Sequence, residues 1–212
     1  MSDAEARVEA LGADAWGGGS FPYAVGSKKF GMWLFIISDA LTFSALLIAY
    51  GYVRLADKNW PEPFEFYPSL VTATVMTLCL LSSSLTMVMA VAARKREDRA
   101  ASVKWIWATI AGGLAFLVLH ANEWLKLIGE GMRPFSNPWG SPLFGASFFT
   151  LTGLHMFHVL TGVGFLGVVA VATGRGKFTS EDVEMSGLYW HFVDLVWMFI
   201  FPLVYVMSIH HG

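Results

Sequence analysis

Seven ionisable side chains sit in long apolar runs, where charge is hardest to sustain: Asp39, His120, Glu123, His155, His158, His191 and Asp194. His120 and Glu123 are three residues apart, as are His155 and His158, and as are His191 and Asp194. On a helix each pair therefore shares a face. An imidazole beside a carboxylate can relay a proton or help to hold a metal, and paired imidazoles can hold a haem. The same groups can also serve as hydrogen bonds between helices. Asp39 lies about nine residues into its run, near mid-membrane depth, and for it the functional and structural readings stand level.

Several of these chemistries have stricter requirements. A b-type haem needs two histidines at similar depth on facing helices. His158 and His191 meet the depth condition, although Asp194 offers His191 a simpler partner. A di-iron bundle needs paired Glu-x-x-His motifs with two further glutamates, and the chain has one reversed copy, His120-x-x-Glu123. Copper or zinc would want more thiolate and imidazole at one depth than Cys79 and these histidines supply. Gly162-Val-Gly164-Phe-Leu-Gly167 matches G-x-G-x-x-G but lies inside an apolar helix, so close helix packing is the reading rather than nucleotide binding. Trp190 and Trp197 are seven apart with Asp194 between them on one stripe. That stripe is too deep for an interfacial belt and reads as a packing seam against helices or lipid tails. The basic run Arg94-Lys95-Arg96 reads either as a topological signal or as a site for lipid phosphates.

These residues need a frame, and the composition names it. The chain has 212 residues, 55% apolar and 14% charged, with a mean hydropathy of +0.54. Soluble domains carry roughly 25% charged residues, and one of this size could not hide so much apolar surface. A net charge of -2 with no basic domain excludes nucleic-acid binding. Segments of about 20 apolar residues can cross a bilayer, and five occur: Phe30–Val53, Pro68–Ala93, Trp105–Leu125, Leu143–Thr173 and Gly187–Ile209. Of 14 basic and 16 acidic residues, only Asp39, Glu123 and Asp194 fall within them. The fourth segment is over-long, so it is expected to tilt or to extend beyond the lipid.

Residues 1–29 open with Asp3, Glu5 and Glu9 and lack an apolar stretch, so they read as a retained cytoplasmic tail rather than a signal peptide. A short surface helix is expected at Ala4–Leu11. With that tail inside, ten Lys and Arg lie on the cytoplasmic side and four on the other. The expected fold is all-α: an integral membrane bundle of five antiparallel transmembrane helices over residues 30–212, its N-terminus cytoplasmic and its C-terminus, with His210 and His211, periplasmic.

Three blocks resemble subunit III of the haem-copper terminal oxidases. Lys29–Asp39 (KFGMWLFIISD) is similar to that family's G-x-x-x-F-I-x-S-E helix. Thr152–Gly162 (TGLHMFHVLTG) resembles G-x-H-x-x-H-V-x-x-G, and Tyr189–Trp197 (YWHFVDLVW) resembles Y-W-H-F-V-D-V-V-W. The resemblance covers about residues 28–209 and is to the five-span bacterial form. In the long form two further spans wall a lipid-filled cleft, a wall that a neighbouring subunit would have to supply here. Asp39 stands where glutamate is commoner, as in the quinol-oxidising branch.

The resemblance implies a non-catalytic chain of a bacterial inner membrane with no haem, copper or other metal of its own. It would bind phospholipid beside subunits I and II, which carry the haems and copper, within a complex that reduces oxygen and pumps protons. A respiratory supercomplex is compatible with it. Asp39 would support proton uptake, and His155, His158, His191 and Asp194 would form a polar seam between helices. His120 and Glu123 would pair nearer the outside, while Arg94, Lys95, Arg96, Trp190 and Trp197 would contact lipid. The competing readings are a quinol oxidase subunit, an accessory subunit of a nitric oxide reductase, and a cytochrome b-like anchor using His158 and His191.

Overall fold

A computed structural model describes residues 26–209. The expected helix at Ala4–Leu11 and the terminal His210 and His211 lie outside the described residues. The chain divides into two units, Met1–Asp39 and Ala40–Gly212. The described part of the first is the N-terminal portion of helix α1 (Ser27–Ala56), where the Ser38 hydroxyl donates to the Phe35 carbonyl at 2.7 Å. The second unit holds the remainder of α1 and the helices α2 (Val71–Lys95), α3 (Arg99–Gly129), α4 (Pro142–Gly174) and α5 (Ser180–Ile200). The described residues are all-helical apart from connectors and two isolated bridges, and five helical segments are long and apolar enough to cross a membrane.

The helices run past the apolar spans because polar residues cap them. Asp98 accepts from the Ala101 N–H at 2.9 Å to start α3, and Ser141 precedes Pro142, placed where its missing N–H costs nothing. Thr179 and Asp182 form a reciprocal capping box, so α5 begins seven residues before the expected span at Gly187. At the other end Pro202 removes a backbone donor. The last span therefore continues from α5 as a widened turn, Phe201–Tyr205, and a tight one, Val206–Ser208.

Within the second unit α2 packs on α3, α3 on α4, α4 on α5, and α5 back on α2. Small residues set these distances. A Cβ at Gly112 would lie 2.7 Å from the Ser83 Cβ, and one at Gly113 would lie 2.6 Å from Trp190 Cη2 and 2.8 Å from Val163 Cγ2. Of the glycine motif in α4, only Gly162 is a close-packing position, with Trp190 3.1 Å from its notional Cβ. Gly164 and Gly167 would meet nothing of this chain within 4 Å.

The end of the last span is clasped from α1 and the connector after it. Arg54 donates to Ser208 Oγ at 2.8 Å and to the Met207 carbonyl, and the Phe64 N–H donates to the Ser208 carbonyl at 3.4 Å. The ring of Phe64, fully buried, stacks on Tyr205 at 4.8 Å. Nearby, the Ser141 hydroxyl and the Asn59 N–H, the latter at 2.9 Å, hold the Asp57 carboxyl below the usual aspartate range.

Two outcomes are expected. Gly113→Ala, which forces the Trp190 ring to shift, should cost about 1–3 kcal/mol of stability, read as an earlier unfolding transition in detergent. For Asp57, a depressed folded pKa means that its contribution is complete above the unfolded value of about 3.9 and is lost as pH falls through the folded value. Asp57→Asn should therefore be less stable than wild type near neutrality and converge with it in acid, measured by thermal unfolding against pH.

Candidate functional site

Within the second unit, helix packing gathers the ionisable residues into two clusters. The first cluster lies between α3, α4 and the last span. His120 and His155 are both fully buried, with their rings against the same two aromatics. His155 stacks on Trp197 (5.2 Å, 26° between planes) and meets Phe116 edge-on at 5.6 Å. His120 lies 5.4 Å from Trp197 and 5.3 Å from Phe116. The two imidazoles are close enough to interact electrostatically, and Glu123 interacts in the same way with the hydroxyl of fully buried Tyr205.

The second cluster joins α5 to α2. Ser84 Oγ lies 2.6 Å from His191 Nδ1, and the same hydroxyl reaches buried Asp194. Acid and imidazole thus share one hydroxyl. In a nucleophilic triad the acid would instead orient the imidazole, so this arrangement is a helix-to-helix tie. Along the same interface the indole N–H of Trp190 donates to Ser83 at 3.0 Å and that of Trp197 to Thr77 at 2.9 Å. Both indoles are at most 1% exposed, so their surfaces are covered by this chain's own helices rather than offered to lipid.

His158 adjoins the first cluster, with Phe43 edge-on to both its ring and that of His155. Its Nδ1 is 2.8 Å from the Leu154 carbonyl and its ring packs edge-on against Phe43 of α1 at 5.2 Å. His158 therefore serves the α1–α4 contact and His191 the α2–α5 contact, an arrangement that does not set them across one haem slot. Among the described residues no group of three or more His, Cys, Asp or Glu is placed to hold a metal ion. Asp39 is half-buried on α1. In the basic run, Arg94 donates to the Phe178 carbonyl at 3.0 Å, Lys95 pairs with Glu184 at 3.0 Å, and Arg96 is exposed.

The comparisons cover the helices α1, α4 and α5 that carry the motifs. The family described as cytochrome c oxidase subunit III matches residues 14–209. The chain belongs to the cytochrome c oxidase subunit III family. It is 32% identical over 188 residues to a cytochrome c oxidase subunit 3 of Alkalihalophilus pseudofirmus, covering 87% of this chain and 89% of that one. To the cytochrome c oxidase subunit 3 of Thermostichus vulcanus it is 34% identical over 185 residues, covering 85% and 88%. A cytochrome bo(3) ubiquinol oxidase subunit 3 of Pseudomonas aeruginosa is 31% identical over 186 residues, 86% of each chain. This is subunit III of a haem-copper oxidase, of cytochrome c or quinol type.

The polar partners on α2 and at the chain's end were not visible in the motifs of this subunit III. Ser84, Ser83 and Thr77 look like ordinary small residues of an apolar span. Only the need of each buried Trp or His for a partner could have pointed to them. Tyr205, eight residues after Trp197, carried a similar signal. Ser84→Ala removes the hydroxyl shared by His191 and Asp194 and should cost about 1–3 kcal/mol. Ser82→Ala, whose exposed hydroxyl bonds back to the Cys79 carbonyl in its own helix, should cost little. Unfolding of both variants in detergent measures the difference.

Proposed function

We propose that this subunit III is a non-catalytic member of a bacterial inner-membrane oxidase, supporting proton uptake, lipid binding and durability of the catalytic subunit. The observation that carries the reading is the family match across residues 14–209, joined to an interior in which the histidines are used for packing and helix ties. Subunits I and II would hold the haems and copper that reduce oxygen to water, with cytochrome c as donor. Asp39 is the in-membrane carboxyl assigned to proton delivery.

Two apolar clefts support the lipid role. One of about 240 Å³ lies between α1 (Leu46, Val53) and α4 (Leu143, Ala146). The other, about 270 Å³, lies between α2 and α5 beside the Lys95–Glu184 pair, with Arg94 and Arg96 within two residues along the chain. Both suit hydrocarbon better than any polar ligand. The quinol oxidase reading is kept as the second, because a ubiquinol oxidase subunit 3 is among the relatives at 31% identity.

In the intact complex Asp39→Ala should lower turnover or hasten loss of activity during sustained oxygen consumption, with Asp39→Glu close to wild type. Unchanged activity over many turnovers in Asp39→Ala would refute the proton-uptake role.

A further inference from the structure

A polar mouth of about 560 Å³ opens where the α1–α2 and α3–α4 connectors meet, lined by Pro63, Glu65, Ser69, Lys126, Glu130 and Trp139. Lys126 Nζ donates to Ser69 Oγ at 3.0 Å and lies 4.0 Å from Glu130. The Ser69 hydroxyl in turn reaches Glu123, one helical turn further into the bundle and only 5% exposed. A further turn in is His120, and across from it His155. Ser69 thus leads from the mouth to Glu123, and His120 and His155 lie deeper in the same bundle.

The inner members of this line have no protein partner for their polar atoms. Both ring nitrogens of His120, both of His155, Glu123 Oε1 and the Tyr205 hydroxyl are buried and make no hydrogen bond within the protein. Each such orphan costs about 1–3 kcal/mol if left unsatisfied, so a dry cluster would rival the stability of a whole domain. The indole N–H groups of Trp190 and Trp197 find hydroxyls on α2, whereas Trp60 Nε1, Arg94 Nε, Ser102 Oγ, Thr173 Oγ1 and Asp194 Oδ1 are unpartnered singly elsewhere. The line is where such atoms gather on several neighbouring side chains. Among the described residues no group of three, His120, His155 and Glu123 included, is placed to hold a metal ion. Water, which donates and accepts, fits atoms of both kinds.

We propose that a file of bound water molecules enters past Ser69 and Glu123 and hydrogen-bonds His120, His155 and Tyr205. The imidazole of His155, fourteenth of the 33 residues of α4, is thereby placed in proton exchange with the aqueous phase at the mouth. The site is a ligand site for water, built from α3, α4 and the last span, and it does not depend on Asp39.

Radiolytic hydroxyl-radical footprinting of the intact complex tests it, since radicals form from waters held next to the side chains they oxidise. Corrected for intrinsic reactivity, His120, His155 and Tyr205 should be oxidised several-fold faster than Trp190 and Met87, which are equally buried but lie off the line. Rates no higher than those of Trp190 and Met87 would overturn the proposal. Equal and high rates at all of these positions would mean that the bundle opens as a whole, and would overturn it as well. Glu123→Leu should reduce oxidation of His155 several-fold, and undiminished oxidation in that variant would overturn the entry route. If Glu123→Leu does not assemble, the wild-type rates decide alone.

Discussion

Trp197 is buried where α2, α3, α4 and the last span meet. His155 is stacked on its ring, Phe116 and His120 meet it edge-on, Tyr205 is beside it, and its N–H is donated to Thr77. Lipid tails offer no partner to a displaced indole. The association of apolar helices must then come from shape and from matched polar atoms rather than from hydrophobic burial. One aromatic side chain that satisfies both conditions fixes the facing of all these elements at once. Gly113, Gly162 and the small residues of α2 follow from the same demand, since they let neighbouring backbones approach the large rings.

The same constraint explains why the histidines divide. Which neighbours an imidazole meets within a bundle depends on the helix face that carries it. α5 turns His191 and Asp194 towards the hydroxyl of Ser84, while α4 turns His155 inward and His158 towards Phe43. Residues that share a helix face in sequence can therefore serve different interfaces, because a face wider than one neighbour touches two. The i, i+3 pairing of His155 and His158 holds in the structure, where Phe43 packs against both rings and His155 also reaches Trp197 and Phe116.

The ends of the molecule show a second principle. Polar loops are tied to the bundle by few but well-placed bonds: Arg54 to Ser208, Phe64 to Ser208, Arg94 to Phe178 and Lys95 to Glu184. Exposed ion pairs contribute little individually. Their value here is geometric, since they tie the ends of neighbouring helices together. They also give Arg94 and Lys95 partners within the chain, because Arg94 bonds the segment leading into α5 and Lys95 pairs with Glu184 in its second turn.

By itself the sequence determined that the chain is all-helical, that it has five segments fit to cross a membrane, and which family it resembles. Those properties follow from local quantities: the length of an apolar run, the caps at its ends, and short motifs on single helices. The tertiary structure decided which polar residue meets which. That Ser84 joins His191 to Asp194, that Trp190 and Trp197 face inward, and that Ser69 and Tyr205 complete the line through Glu123 all depend on helix rotation and separation. Those are set by the packing of large rings against small residues on distant segments, information spread over the chain that no single stretch of it carries.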